Sequence, residues 1–217
     1  MLPLMIDDKF EAMPWDRVDA AVFDVGNVLL RFEPRHIMET LLPDRPELYD
    51  RLMVKVFRSP YWVMMDHGLA EPEEAAEAMI GRDTELAPYI RTVAVQWSDM
   101  KHVISEGVAA VRACVDHGLK TFVMSNYGDS TFRIIEEKYD FFRLFDGKLV
   151  SSRVGLMKPD PEIYRRLIRE FDLTPERTLF VDDNPANIEM ALYLGWQGFC
   201  MNEEGRLSRF MGLSPED

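Results

Sequence analysis

The sequence predicts an α/β fold in which a doubly wound parallel sheet carries an inserted α-helical cap. Three short apolar runs that end in polar or acidic residues predict strands of one parallel sheet. Helical patterns alternate with strands from about residue 104 to residue 200, as expected of right-handed crossover connections. The stretch 33–100, by contrast, has helical spacing and no convincing strand. With 217 residues and 47% hydrophobic content, the chain is long enough to fill such a core.

The first predicted strand is the apolar run at residues 20–23, within the stretch AAVFDVGNVLL. Asp24, Gly26 and Asn27 follow it and are residue types that favour a tight turn. The strand therefore leads directly into a carboxylate.

The second and third predicted strands show the same pattern. The run LKTFVMSN ends in Ser125 and Asn126, and the run RTLFVDDNP reaches Asp182 and Asp183 near its end. Because open parallel sheets bind ligands at the carboxyl edge of their strands, we expect these polar groups to meet there.

The helices between the strands carry their own terminal signals. EGVAAVRACVDHG closes on Gly118, a residue typical of a helix C-terminus. DPEIYRRLIREFDL opens with Asp160 as the N-cap and Pro161 in the first turn. NPANIEMALYLG repeats this arrangement, with Asn184 at its start and Gly195 at its end.

The helical insertion contains the segments PELYDRLMVKVF, EPEEAAEAMIGR and APYIRTVAVQWSDM, which have apolar residues at helical spacing. Because it follows the loop after the first strand, we expect it to lie over the carboxyl edge of the sheet and to act as a lid. Trp62 and Trp97 are interpreted as core residues of this small bundle rather than as substrate contacts. The predicted division is an N-terminal extension (1–19), a core (20–32 and 101–217) and a cap (33–100).

Composition excludes several classes of function. A formal net charge of −13 argues against general affinity for nucleic acid, since backbone phosphates require clustered Lys and Arg. The apolar runs are too short to span a bilayer and the N-terminus lacks a basic start before an apolar block, so we expect a cytoplasmic protein with no membrane association. Cys114 and Cys200 stand singly in apolar segments, which predicts buried thiols. The oligomeric state stays open between monomer and homodimer.

The polar residues at the strand ends, together with Lys158 in the loop GLMKPDPEIY, fit the chemistry of phosphoryl transfer. Three neighbouring carboxylates would raise one another's pKa unless a cation shares the site, and Mg²⁺ suits such an all-oxygen set. The reaction needs an attacking oxygen, together with positive charge and hydrogen-bond donors on the phosphate oxygens. Asp24 is the predicted nucleophile, forming an aspartyl-phosphate, while Lys158 and Ser125 bind the phosphate of a small phosphorylated substrate.

The motifs, in their order along the chain, resemble those of the haloacid dehalogenase superfamily of phosphohydrolases, in its branch with a helical cap after the first strand. The resemblance covers nearly all of the chain after about residue 19 and implies a Rossmann-like core. The matching motifs are FDVGN (23–27), SN (125–126), KPDPEIY (158–164) and VDDNPANI (181–188).

The resemblance implies roles for individual residues. Asp24 is expected to be both the nucleophile and a Mg²⁺ ligand, with the carbonyl of Gly26 as a second ligand and Asp183 as a third. Ser125 is expected to bind phosphate, and Lys158 to neutralise the nucleophile and the phosphate.

Asp183 is preferred to Asp182 as the metal ligand, because the family's acidic motif usually has a second polar residue four positions after its ligand. Asn187 stands at that position here. Asp182 and Asn187 are then expected to support the ligands from behind or through water. Asn126 is assigned to the phosphate site with Ser125, although either residue also suits a helix cap.

Gly26 departs from the family pattern, since most of its phosphatases have a second Asp there that protonates the leaving alcohol and later activates water. The favoured explanation is a leaving group that needs little protonation, as in a sugar 1-phosphate, and the D-x-G-N motif is similar to that of sugar-1-phosphate phosphatases. A second explanation is that Asn27, His67 or a water on the metal supplies the proton. A third is that the enzyme is slow or inactive and serves as a binding module. The glycine also suits a turn that requires positive φ or a close backbone approach.

A haloacid-type dehalogenase is the alternative chemistry, because halide leaves without a proton. The acidic pair Asp182 and Asp183 disfavours it, since two uncompensated carboxylates beside a nucleophilic carboxylate would hinder attack.

Overall fold

The central sheet confirms the predicted parallel α/β fold. The computed structural model describes residues 12–100, 102–203 and 205–213. Its strands are β1 (Ala20–Phe23), β2 (Leu30–Arg31), β3 (His102–Val103), β4 (Lys120–Ser125), β5 (Gly147–Val150), β6 (Thr178–Asp182) and β7 (Gln197–Cys200). Five of them form one parallel sheet in the order β5-β4-β1-β6-β7, so that β1 lies at its centre.

Helices connect the strands and cover both faces of the sheet. They are α1 (Pro34–Leu41), α2 (Tyr49–Leu52), α3 (Pro60–His67), α4 (Pro72–Ile80), α5 (Ala87–Gln96), α6 (Ser105–Asp116), α7 (Asp129–Lys138), α8 (Ser151–Val154), α9 (Pro161–Phe171), α10 (Pro185–Tyr193) and α11 (Arg206–Met211). A π-helical segment, Met53–Phe57, continues α2. Single 3-10 turns occur at Trp15–Arg17, Pro46–Leu48, Trp97–Met100, Asp140–Leu144 and Pro175–Arg177.

The predicted helix starts are confirmed by their capping bonds. The Asp160 carboxylate accepts a hydrogen bond from the Glu162 backbone N–H at 2.8 Å, at the start of α9. The Asn184 amide oxygen accepts from the Ala186 N–H at 3.0 Å, at the start of α10. Each cap satisfies a backbone donor that has no partner within its helix.

Alternate residues of β1 face opposite layers of the core. Ala21 and Phe23 belong to the layer that includes α6, and Ala20 and Val22 pack with α9 and α10. All four are at most 2% exposed, which explains why this strand reads as an uninterrupted apolar run.

The insertion begins and ends at a short antiparallel ribbon, in which Leu30 pairs with Val103 and Arg31 with His102. Residues 33–100 form α1 to α5 with the intervening turns, and they contain no strand. The three predicted helical segments correspond to α2 with its π-helical continuation, to α4 and to α5. The division of the chain into cap and core domains stays a prediction.

Other predictions concern the chain as a whole. Cys114 and Cys200 are buried free thiols, as expected. Across the described residues, no helix combines the length and the apolar character that crossing a membrane requires. Most of the predicted N-terminal extension, residues 1–11, lies outside the described residues.

Candidate active site

The carboxyl ends of the three central strands bring the predicted residues together. Phe23 of β1 pairs with Val123 of β4 and Val181 of β6, so the three strands end nearly level. Ser125 closes β4, Asp182 closes β6, and Asp24 is the first residue after β1. This parallel register is what places residues about 60 to 160 positions apart in sequence at one edge.

Lys158 reaches this edge from the loop before α9, and Asn126 fixes the loop. The Asn126 amide donates to the Lys158 carbonyl at 2.9 Å and accepts from the Lys158 N–H at 2.8 Å. Because the amide oxygen and one N–H are used in this way, Asn126 positions the lysine. Direct binding of phosphate by Asn126 stays a prediction.

The ammonium of Lys158 lies between two carboxylates. Its Nζ is 2.9 Å from Asp24 Oδ1 and 2.6 Å from Asp182 Oδ2, and all three side chains are largely buried. Burial alone would lower the pKa of Lys158, but the charges of Asp182 and Asp24 outweigh it, so the pKa is raised. Burial raises the pKa of Asp182 to about 6, against the opposing effect of Lys158.

Asp182 is held on all sides by protein donors. Asn187 Nδ2 donates to Oδ1 at 2.9 Å and to Oδ2 at 3.1 Å, and the Asn184 N–H donates to Oδ1 at 2.8 Å. With Lys158 also bonded to it, this fully buried carboxylate is occupied in orienting the lysine. The supporting role expected for Asp182 and Asn187 stays a prediction.

Asp183 is held through Asn27, whose backbone has φ of 52°. The Asn27 amide donates to Asp183 Oδ2 at 2.9 Å, and its oxygen accepts from the Phe32 N–H at 2.8 Å. Asn tolerates this left-handed conformation better than most residues, which allows its side chain to bridge the acidic site and the ribbon. Burial raises the pKa of Asp183, and the hydrogen bond from Asn27 opposes that shift.

The three acidic side chains form a set that fits a divalent cation. One carboxylate oxygen from each of Asp24, Asp182 and Asp183 lies within 4.8 Å of the others. These are the hard oxygen donors that Mg²⁺ prefers. Asp182 is bonded to Lys158 and Asn187, and Asp24 also pairs with Lys158. The assignment of Asp24 and Asp183 as ligands of the ion stays a prediction.

Gly26 is not required by the geometry of its turn. A Cβ added there meets no atom within 4 Å, and the residue does not have positive φ. The explanation of Gly26 by backbone strain or close approach is therefore wrong. The glycine leaves open space two residues after Asp24.

The two side chains considered as replacement acids differ in position. Asn27 lines the cavity beside Asp24, but its amide is engaged with Asp183 and Phe32. His67 is not among the described residues that line this cavity.

The site opens into a cavity of about 300 Å³ that has two unlike walls. One wall is polar and contains Asp24, Ser125, Lys158 and Asp183. The other wall is aromatic, and it is formed by Phe32, Trp62, Trp97 and Tyr127. Helical spacing identified Trp62 and Trp97 correctly as buried residues, but it gave no sign that both also border the site.

Ser151 links the insertion to the sheet near this aromatic wall. Its hydroxyl donates to the Asp66 carbonyl of α3 and accepts from the Tyr127 N–H at 2.9 Å. Ser151 is fully buried, so the contact fixes the C-terminal end of α3 over the end of β4.

Comparisons with known proteins find a family model and relatives that match most of the chain. The family model of haloacid dehalogenase-like hydrolases matches residues 18–195. The sesquiterpene phosphatase astK of Aspergillus oryzae is 26% identical over 188 residues, which cover 85% of this chain and 90% of the relative. The chloroplast flavin mononucleotide hydrolase 1 of Arabidopsis thaliana is 24% identical over 193 residues, or 87% of this chain and 74% of the relative.

Solved structures show the same fold. A haloacid dehalogenase-family enzyme of Bacteroides thetaiotaomicron, in complex with magnesium and inorganic phosphate, has a TM-score of 0.68 at 17% identity. The match covers 87% of this chain and 97% of that one. L-2-haloacid dehalogenase from Xanthobacter autotrophicus has a TM-score of 0.62 at 18% identity, with 83% and 76% covered. At these identities the likeness extends to the fold alone.

Proposed function

The chain belongs to the haloacid dehalogenase-like hydrolases, and we propose that within this family it is a Mg²⁺-dependent phosphatase that hydrolyses a small phosphorylated metabolite through an aspartyl-phosphate. The observation that carries the proposal is the ion pair of Asp24 with Lys158 in a cavity that Asp183 also lines. The similarity to phosphatases over most of the chain supports it.

Asp24 attacks phosphorus with one carboxylate oxygen, and the ammonium of Lys158 pairs with that carboxylate and draws the phosphate towards it. Ser125, at the end of β4, borders the same space and donates its hydroxyl to a phosphate oxygen. Asp24, Asp183 and the carbonyl of Gly26 would hold Mg²⁺. When bound, the ion supplies positive charge that stabilises the phosphate oxygens as negative charge develops on them.

Because Gly26 has no side chain, the residue at this position cannot protonate a leaving group. Without an acid there, an ester whose oxygen departs as a stable anion reacts more readily than one that must be protonated. A sugar 1-phosphate is one class that meets this condition, since its anomeric hydroxyl is more acidic than an ordinary alcohol. Halide displacement meets it too, but the acidic cluster of Asp24, Asp182 and Asp183 favours a cation-dependent reaction.

The proposal predicts metal-dependent turnover that follows the quality of the leaving group. Hydrolysis of acetyl phosphate, phenyl phosphate, a sugar 1-phosphate, a sugar 6-phosphate and a nucleotide would be measured with Mg²⁺ and with EDTA. We expect EDTA to abolish release of phosphate, and the sugar 6-phosphate to react more slowly than the sugar 1-phosphate. A folded protein that hydrolyses no ester would contradict the proposal, and release of chloride from 2-chloropropionate would support the dehalogenase alternative.

Gly26→Asp should selectively accelerate the hydrolysis of esters that have poor leaving groups. Because a Cβ fits at this position, the new carboxyl group can protonate a departing alcohol. We expect kcat/KM for a sugar 6-phosphate to rise about tenfold or more relative to that for acetyl phosphate. Gly26→Ala is the matched control, since it fills the space without adding an acid. Equal effects of the two substitutions would count against leaving-group selection at this position.

A further inference from the structure

The aromatic wall of the cavity is a continuous cluster of rings in tilted and edge-on contact. Trp62 and Trp97 lie 4.8 Å apart between ring centroids, and Phe32 lies 5.8 Å from Trp62 and 5.6 Å from Trp97. Tyr127 extends the cluster at 5.2 Å from Trp97. These separations are typical of favourable contacts between aromatic rings, so the wall is ordered before a ligand binds.

Several of the amide side chains that border the cavity are already bonded to the protein. The Asn126 amide is bonded to the backbone of Lys158, and the Asn184 oxygen caps α10. Asn187 directs its N–H groups to Asp182. These amide groups are therefore not free to replace the bonds to water that a substrate rich in hydroxyl groups would lose.

The insertion contributes mainly apolar surface. Of the fully described span 33–99, Trp62, Asp66 and Trp97 border the cavity, and Phe32 adjoins them from the ribbon. Lys158 is the one cationic side chain among the described residues of the lining. The carboxylates of the lining are those of Asp24, Asp66 and Asp183, so a substrate body with further negative charge would meet no second cation among these residues. The lining therefore suits a single phosphate group attached to an uncharged body.

The chemistry of the leaving group also favours an aromatic substrate. A phenol has a pKa of about 10, as in Tyr, and departs as a phenolate without prior protonation far more readily than an ordinary alcohol. The volume of about 300 Å³ is at the lower end of the roughly 300–1,000 Å³ found for ligand pockets, which suits a small ring.

We propose that the substrate is an aryl phosphate, in which the ring packs against Trp62, Trp97 and Phe32 and its oxygen carries the phosphate. The inference rests on the proposed phosphatase function. Asp24 forms a bond to phosphorus while the bond from phosphorus to the aryl oxygen breaks, and the electron pair leaves on the phenolate. Water then hydrolyses the aspartyl-phosphate, which regenerates the carboxylate and releases inorganic phosphate.

The test compares phenyl phosphate with acetyl phosphate. The leaving groups of both depart without protonation, and only that of phenyl phosphate carries an aromatic ring. In Trp62→Leu, we expect the ratio of kcat/KM for phenyl phosphate to that for acetyl phosphate to fall about tenfold. Trp62→Phe should retain most of the wild-type ratio. Trp15→Leu is the control, since Trp15 packs on His117 at 3.9 Å and does not border the cavity.

Thermal unfolding establishes that each variant is folded. Since Trp62 is largely buried, Phe32→Leu at the half-buried Phe32 provides a second, milder test with the same expected direction. An unchanged ratio in the folded variants, or a higher wild-type kcat/KM for glucose 1-phosphate than for phenyl phosphate, overturns the aryl assignment. Absence of Mg²⁺-dependent turnover of acetyl phosphate by the wild type is a separate result, because it overturns the phosphatase proposal itself.

Discussion

Asp24→Asn is expected to abolish phosphatase activity while the protein still folds. The amide keeps the shape of the side chain but is a far weaker nucleophile, so kcat should fall by about 10⁴-fold or more. The ammonium of Lys158 keeps its bond to Asp182 at 2.6 Å, which limits the cost to folding. The measurements are steady-state release of phosphate and the Tm of the variant in the same buffer.

A second readout separates loss of the nucleophile from loss of the site. Acid quenching after mixing with radiolabelled acetyl phosphate should trap a phosphoprotein in the wild type and none in Asp24→Asn. Asp140→Asn is the matched control, because it removes one carboxylate charge from an exposed pair with Arg143. Turnover of Asp24→Asn within tenfold of the control would show that Asp24 is not the nucleophile.

The sequence predicts the core of this site because the relevant signals are local. Asp24, Ser125 and Asp182 each stand at the end of an apolar run, and the parallel topology brings such strand ends together. The role of Asp160 as an N-cap can be predicted from the sequence for the same reason, since a cap acts within one turn of its helix.

The edge strands β5 and β7 are not predicted by the same reasoning. Their sequences, GKLV and QGFC, are four residues long and include glycine, so neither gives a distinctive apolar run. Their pairing with β4 and β6 depends on the sheet that is already there. Tertiary context, more than local preference, makes them strands.

The aromatic wall is not predicted from the sequence, for a different reason. Trp62 and Trp97 belong to different helical segments, and periodicity reports only that each is buried. Whether a buried ring faces other core residues or a cavity depends on the packing of the insertion over the sheet. The bond of Asn126 to the Lys158 backbone is likewise a contact over 32 residues that no local pattern encodes.

Lys158→Met should lower both activity and stability. Methionine has a similar length and no charge, so Asp24 loses its partner in the attack, and we expect kcat/KM to fall by about 10³-fold. The carboxylates of Asp24 and Asp182 are then buried together without a cation. Removal of one partner from a buried ion pair typically costs about 3–5 kcal/mol, which should appear as a lower urea midpoint and a lower Tm.

In metal-free buffer, the stability lost in Lys158→Met should increase with pH. Burial raises the pKa of Asp182 to about 6 even with Lys158 present, and loss of the ammonium raises that pKa further. Since an unfolded Asp titrates near about 3.9, the native state holds a proton that the unfolded chain has released. Native stability therefore falls as the pH rises through the folded pKa, and the Tm deficit of Lys158→Met should be larger at about pH 8 than at about pH 5.

Lys55→Met is the control for removal of a lysine charge, because Lys55 is 41% exposed and lies 3.9 Å from Asp83 at the surface. Its effect on the free energy of unfolding should stay within about 1 kcal/mol, and it should depend little on pH between these values. Mg²⁺ should restore part of the stability lost in Lys158→Met, since a cation held by Asp24 and Asp183 compensates the same negative charge. A Lys158→Met protein as stable as the control at about pH 8 would mean that the ion pairs of Lys158 do not hold these carboxylates in place.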